Sequence, residues 1–501
     1  MWVQTLKAQL PINVEQDESR ISDVDYSLTN NGIFGFNARE GSYGFFSPRD
    51  SGTHYLFGSG LWFGAKKREA AGSSEFRKFS FITFNLTSAT SWATPGEALK
   101  SEPNLPFPAL FYSPDYDTTG ENINDKSRPR WPLWLFADEK PSPMRPGRFA
   151  LLAGQRFAND APFNSPAYVQ GVSEQFVARY HDMDLSNYEL AEEQARELGY
   201  PLGLQIEQNV YSWMPGREQN KHRAVLIQYR IVNVSADTLF DCYAGQASDP
   251  DIGDAANDFQ SFVLSARLAL TWSATETEQT DMLAQILIEA PMIDDDGFVD
   301  NSRRTHFRTR GEVGTFQNLP SDLILRSPDE RYDRLDNTIL ASSEGPDDWR
   351  SLIGSKPFHM APGDTAHMAI AFAVSEPWNP VGDVPDALLN LVEELMLEYY
   401  ETGFAELPIS TVAGRTQAAQ QLAPNPASDH SILQFTLHAA SDLRIEISDN
   451  LGNISYSTHL PSQPAGMFRY QLPVHHLPTG TYLVRVSTAR QSFTTPLTVL
   501  R

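Results

Sequence analysis

Cysteine is almost absent. Cys242 is the one thiol in 501 residues, which excludes an intrachain disulfide and any thiolate-held zinc or iron–sulfur centre within the chain. Basic side chains are also scarce, 39 Lys and Arg against 63 Asp and Glu, giving a formal net charge of −24. No Lys/Arg-rich run locally reverses that charge. Phosphate backbones and acidic membrane surfaces would be repelled, so neither nucleic acid nor an acidic membrane is expected as a partner. Long apolar runs are missing too. The longest candidate, 368–374, is strand-sized and falls far short of the roughly 18 to 20 residues of a spanning helix, so no transmembrane segment is expected. There is no His-Glu-x-x-His, no Gly-x-Ser-x-Gly, no P-loop and no Gly-x-Gly-x-x-Gly after a strand. The motif-bearing metalloprotease, esterase and nucleotide-binding classes fall away with them.

Apolar residues at 41% and aromatics at 11% supply real cores, and the length points to several domains. The 31 glycines and 34 prolines sit in short clusters between alternating apolar and polar segments, a spacing that favours strands. Strands are predicted over 78–86, 203–213, 224–234, 238–245, 262–272, 282–288 and 367–374, with 224–234 and 238–245 forming a β-hairpin or a sandwich edge. Two helices interrupt them. One spans 185–198, with Ser186 as its cap and Gly199 and Pro201 as its stop. The other spans 386–400, where Leu388, Leu389, Val392, Leu395, Met396 and Tyr399 make one stripe for burial. The expected fold class is mainly β and multidomain: a β-sandwich-rich N-terminal region with two helices, plus a C-terminal immunoglobulin-like β-sandwich.

The domains expected are 1–20, a leader remnant or disordered N-terminus; 21–200, a β-rich region; 201–404, a β-sandwich region with acidic loops and a terminal helix; 405–421, a linker; and 422–501, a small C-terminal domain. Ala8-Gln9 before Leu10-Pro11 reads either as the end of a leader or as an ordinary frayed terminus.

The principal candidate site is Asp249-Pro250-Asp251-Ile252-Gly253-Asp254-Ala255-Ala256-Asn257-Asp258. Asp249, Asp251, Asp254 and Asp258 can converge hard oxygen ligands on one Ca²⁺ where Pro and Gly bend the chain; without a cation they repel one another. The alternative is a solvated acidic loop, since the spacing is not that of an EF-hand. A second loop carries Asp294, Asp296 and Asp300 around Gly297 and resembles part of a thrombospondin-type calcium repeat, with Met292 where that pattern opens on Asp. Mg²⁺ fits either loop less well, because it favours few protein ligands and a phosphate-bearing substrate. Cys242 alternates with Phe240 and Ala244 and reads as a core residue. His181-Asp182-Met183-Asp184 reads as metal ligands or as a loop leading into a helix. The aromatic–glycine clusters at 31–36 and 55–64 read as core packing or as a sugar-stacking platform.

From 422 onward, strand-like segments recur at 431–437, 443–448, 454–459, 467–472, 481–487 and 492–499, with a tight turn at 449–453. Four features stand in order: Pro424-Asn425-Pro426-Ala427, Leu443-x-Ile445-x-Ile447-x-Asp449-x-x-Gly452, Leu477-x-x-Gly480-x-Tyr482-x-Val484-x-Val486 and Leu497-x-Val499. By these residues the segment resembles the type A C-terminal sorting domain of the type IX (Por) secretion system of Bacteroidota. It departs in lacking terminal lysines; Arg501 alone carries the last positive charge. The resemblance implies a cargo exported across the outer membrane to the medium or the cell surface, with the type IX outer-membrane translocon as partner of residues 422–501. The region 21–404 is similar to an uncharacterised group of large type IX cargo proteins through Asn31-Gly32-Ile33-Phe34-Gly35, Gly58-x-Gly60-Leu61-Trp62-Phe63-Gly64-Ala65, Pro201-Leu202-Gly203-Leu204, Asp249-Pro250-Asp251-Ile252-Gly253 and Pro357-Phe358-x-Met360-x-Pro362-Gly363-Asp364. Two functions follow as expectations: a non-enzymatic, calcium-binding structural or adhesion-type protein with an extracellular glycan or protein partner, or a secreted hydrolase acting on glycans through an unlocated carboxylate pair.

Overall fold

The computed structural model describes residues 13–69, 74–96, 98, 110–116, 122–128, 173–215, 221–274, 279–301, 311–325, 327–336, 346–375, 384–401, 421–437, 441–448, 454–463, 466–487 and 492–500. Residues 402–420, most of the expected linker, lie outside that set, as do the turn at 449–453 and residues 1–12. The chain divides into two compact units, Met1–Leu407 and Pro408–Arg501.

Two nine-stranded antiparallel sheets build the first unit. The first sheet runs Gln16–Glu18, Asp25–Thr29, Phe45–Phe46, His54–Arg68, Leu239–Pro250, Trp349–Ser355 and Val313–Pro320, with Phe76–Ile82 and Phe358–Met360 added at its sides. The second runs Asp258–Val263, Leu268–Ala274, Gln279–Glu289, Thr365–Ser375, Ala224–Asn233, Leu204–Ser212, Glu174–His181 and Thr94–Pro95, with Phe111–Tyr112 beside Glu174–His181. Both sheets draw strands from either side of residue 200. They face each other across one core in which Phe34 stacks on Phe372 at 5.4 Å and Trp62, Phe63, Ile206, Ile227 and Met368 are buried.

The second sheet is covered on its other face as well. There Leu226, Leu270, Ile286 and Ala371 pack under Leu388, Leu391, Val392, Leu395 and Met396 of the helix Asp386–Glu401. Burial on both faces explains why every residue of Ala224–Asn233 is buried, the polar Gln228 and Arg230 with the apolar Val225 and Ile227. Glu393 and Glu394 stay exposed, as the stripe demands.

Three local expectations need correction. Ala224–Asn233 and Leu239–Pro250 are not a hairpin, for they belong to different sheets. The buried Asn233 turns the chain from one to the other: its amide donates to the Asp237 and Met360 carbonyls and its oxygen accepts from Ser235. The stretch 262–272 is not one strand. A 3-10 turn, Leu264–Ala266, with Arg267 at φ +58°, folds Leu268–Ala274 back on Asp258–Val263. The helix expected over 185–198 shrinks to Glu192–Leu198, because Asp184 caps a separate 3-10 turn and Tyr188 is drawn aside to stack on Trp92 at 4.7 Å. A further helix, Pro328–Leu335, starts on a capping box in which Ser327 and Glu330 satisfy each other's backbone.

The aromatic–glycine clusters are interior. Phe34, Phe36, Tyr55, Trp62 and Phe63 are buried, and a Cβ at Gly60 would meet Phe84 and Thr83 side chains at 2.6 Å. Cys242 is fully buried in the same core.

In the second unit, Gln421–Ala423, His430–Leu437 and Gly466–Pro473 form one sheet, and Ile454–Gln463, Ser441–Ser448, Gly480–Ser487 and Ser492–Val499 form another. Leu433, Leu443, Ile445, Ile447, Val484, Val486, Leu497 and Val499 fill the core. The Asn425 side chain accepts from Thr498 N–H at 2.8 Å, Ala427 N–H donates to the Thr498 carbonyl, and Leu500 N–H donates to the Ala427 carbonyl. The opening and closing sequence features therefore hold each other.

Candidate metal centre

The acidic loop is the crossing between the two sheets. Asp249 lies at the end of Leu239–Pro250 in the first sheet, and Asp258 begins Asp258–Val263 in the second. Pro250 and Gly253, the latter at φ +72°, bend the chain between them.

Of the four aspartates named for this loop, the structure brings two together. Asp249 and Asp251, 5% and 6% exposed, converge with Asp348 so that one ligand oxygen from each lies within 4.8 Å of the others. Among the described residues this is the group of three acidic side chains that could hold a metal ion. Asp348 arrives from the segment ahead of Trp349–Ser355, the neighbour of Leu239–Pro250 in the first sheet. Nothing in its local sequence marks it, because its place is set by strand pairing.

Asp258 is fully buried beside the group, and its Oδ2 accepts from Ile252 N–H at 3.0 Å. The Oδ1 atoms of Asp251 and Asp258 are buried without a partner. Asp254 turns outward. It caps the 3-10 turn Ala255–Asn257 through Ala256 N–H and accepts from Asn257.

Electrostatics match this geometry. Burial, reinforced by Asp348, pushes Asp249 up to about 7, although Arg350 Nε at 3.4 Å from its Oδ1 opposes the shift. Burial and then the charges of Asp249 and Asp348 raise Asp251 to about 8. Burial raises Asp258 to about 8 against the Ile252 hydrogen bond. The Tyr43 hydroxyl bonds to Asp251, and its ring stacks on His54 at 3.8 Å. Carboxyls so arranged resist ionising together; a cation placed among them would reverse all three shifts.

The second loop is a tight turn. Asp294 Oδ1 accepts from Asp296 N–H at 3.0 Å and Phe298 N–H at 2.9 Å, while Asp300 donates its backbone N–H to Met292. Asp296 is exposed, and among the described residues Asp294, Asp296 and Asp300 join no convergent acidic group. Asp182, in the His181–Asp184 stretch, is committed elsewhere: fully buried, it accepts from the backbone of Leu202, Gly203 and Leu204 at 2.7–3.1 Å.

An open polar cleft of about 430 Å3 lies apart from these loops, lined in part by Glu15, Asp17, Tyr116, Asp115, Asn124 and Arg128. Three of its four acids pair with arginines, while the fourth, Asp125, accepts from Ser127. Arg20 bridges Asp17 and Asp115 at 2.8 Å each, and Arg128 grips Glu15.

Residues 421–499 match the family described as the secretion system C-terminal sorting domain. The chain is thus a type IX secretion cargo, exported across the outer membrane to a secreted or cell-surface location, and its sorting domain interacts with that machinery. No curated protein matches the chain. Among solved structures, a polysaccharide lyase is 9% identical over 60% of this chain and 34% of its own, at a TM-score of 0.21. Latent dimeric PorU from Porphyromonas gingivalis is 8% identical over 97% of this chain and 34% of its own, at 0.15. The fusion protein EFF-1 of C. elegans is 6% identical over 59% and 69%, at 0.14. The chain spans about a third of the length of the first two, and scores this low establish neither shared architecture nor shared chemistry.

Proposed function

We propose that the chain is a non-enzymatic structural or adhesion-type protein of the cell exterior, with an extracellular glycan or protein as partner. Its first unit holds one calcium ion through Asp249, Asp251 and Asp348, and residues 422–501 engage the outer-membrane translocon. The observation that carries the reading is the convergence of those three carboxylates, two of them buried, in a group whose Asp251 has a buried Oδ1 with no hydrogen-bond partner. A purely oxygen donor set suits a hard cation, and calcium tolerates the irregular geometry that a strand end, a loop and a distant segment provide. Backbone oxygens and water would complete its six to eight ligands. Such an ion would staple the crossing from one sheet to the other, which is structural work.

The test is thermal unfolding of the full chain in calcium and in a chelator, with elemental analysis of the purified protein. Bound calcium and a chelator-induced fall in Tm are expected, because a ligand of the native state stabilises by mass action. Absence of both would return the aspartates to a metal-free acidic cluster.

A further inference from the structure

Resting on that reading, we infer that the cation is a latch: it fastens the segment 346–350 to the sheet crossing at 249–258, so that this corner of the sandwich closes where calcium is plentiful. The joint is made of pieces that the chain brings from three places, the end of Leu239–Pro250, the start of Asp258–Val263 and the approach to Trp349–Ser355.

Beside the acidic group, several contacts tie 346–350 to the crossing and its flanking strands. Asp347 N–H donates to the Asp258 carbonyl at 3.0 Å, and Gln260 Nε2 donates to the Trp349 carbonyl at 3.1 Å. Arg350 reaches Asp249 at 3.4 Å and the Ser321 carbonyl at 2.9 Å. Against these stands the repulsion of three carboxylates whose ligand atoms lie within 4.8 Å. When all four carboxylates are ionised, Asp258 included, Arg350 cancels one charge and a divalent cation offsets two of the remaining three. The cluster is more than an acidic patch, since Oδ1 of Asp251 and Oδ1 of Asp258 are buried with no partner, a condition that buried polar atoms rarely keep without a ligand. Extracellular calcium modules work at roughly 10⁻⁴–10⁻³ M, a level that an exported chain meets outside the cell. The latch would therefore set after export.

Hydrogen–deuterium exchange of the full chain, with calcium chloride alone and with a chelator, tests this. Peptides covering 249–258 and 346–355 should exchange about tenfold more slowly in calcium, with peptides of Leu204–Ser212 unchanged and magnesium ineffective. Asp348→Asn should abolish the difference, but the parent chain alone decides the matter if that variant does not fold. Calcium bound by calorimetry with no change in those peptides would overturn the latch and leave the calcium reading standing. No calcium bound at all would overturn both.

Discussion

A carboxylate oxygen of Asp348 lies within 4.8 Å of one from Asp251, and no sheet register directly pairs the two residues. Their proximity follows from the pairing of Leu239–Pro250 with Trp349–Ser355, in which Ser248 sits opposite Ser351. Two like charges placed so by the fold repel when ionised and attract a shared cation. Asp348→Asn should accordingly act with opposite signs in two conditions. In a chelator the variant should melt at or above the parent's temperature, because a repulsive neighbour of Asp249 and Asp251 has gone. In calcium it should melt below the parent, with at least about a tenfold weaker affinity by titration calorimetry, a change of roughly 1.4 kcal/mol. A uniform loss of stability in both conditions would show Asp348 to be an ordinary structural residue.

The same cluster sets a pH dependence. Asp249, Asp251 and Asp258 are raised in the folded chain to about 7, 8 and 8 by burial and mutual charge, against about 4 when unfolded. The folded state therefore holds protons that the unfolded state has released. Their stabilisation is complete below about pH 4 and is lost as pH rises through 7 to 8. Metal-free protein should become steadily easier to unfold in urea between those limits, whereas saturating calcium, by keeping the carboxylates ionised at no cost, should flatten the slope. A metal-free chain whose stability rises over that interval would contradict these shifts.

How much of this was legible in the sequence depends on whether a signal is local. Ala224–Asn233, Gln279–Glu289 and Thr365–Ser375 were readable from their apolar runs, and the buried face of Asp386–Glu401 from its three- and four-residue steps, with Leu391 taking the place that Leu389 was expected to fill. The break at Leu264–Ala266 was not readable, since Arg267 takes a left-handed conformation without the glycine or asparagine that usually announces one. The capping box at Ser327 was a local signal left unused. In the acidic loop, composition located the cluster but could not say which aspartates turn inward. Asp254 caps a turn facing solvent, while Asp348, far along the chain, completes the group.

Glu174 offers a sharper test of how the first unit is held together. Its carboxylate is fully buried and accepts backbone N–H groups from Arg20, Ile21 and Ser22 at 3.0–3.2 Å, together with the hydroxyls of Tyr112 and Ser212. It thereby pins the segment ahead of Asp25–Thr29 to a strand of the opposite sheet. Glu174→Gln keeps the shape but turns an amide donor toward groups that themselves donate. The expected cost is about 2–3 kcal/mol in denaturant unfolding, with exchange of the amides of residues 20–22 raised first. A loss below about 0.5 kcal/mol, the range of ordinary surface substitutions, would mean that the segment is held by other contacts.

The separation of cores predicts what removal of the sorting domain does. Among the described residues, the two core clusters of the first unit contain none beyond Tyr399, and that of the second contains none before Leu422. A chain ending at residue 420 should then unfold cooperatively at the parent's main transition, since the first unit keeps its own core. Its export should fail all the same, because the sorting domain is the part that the secretion machinery reads. Fractionation of cells carrying the truncated and full chains separates the two effects: the truncated protein should be recovered folded inside the outer membrane, while the full chain reaches the surface or the medium. Recovery of the truncated chain outside at the parent's level would remove the export role from residues 421–499, and its recovery as an aggregate would show that the first unit depends on the second to fold.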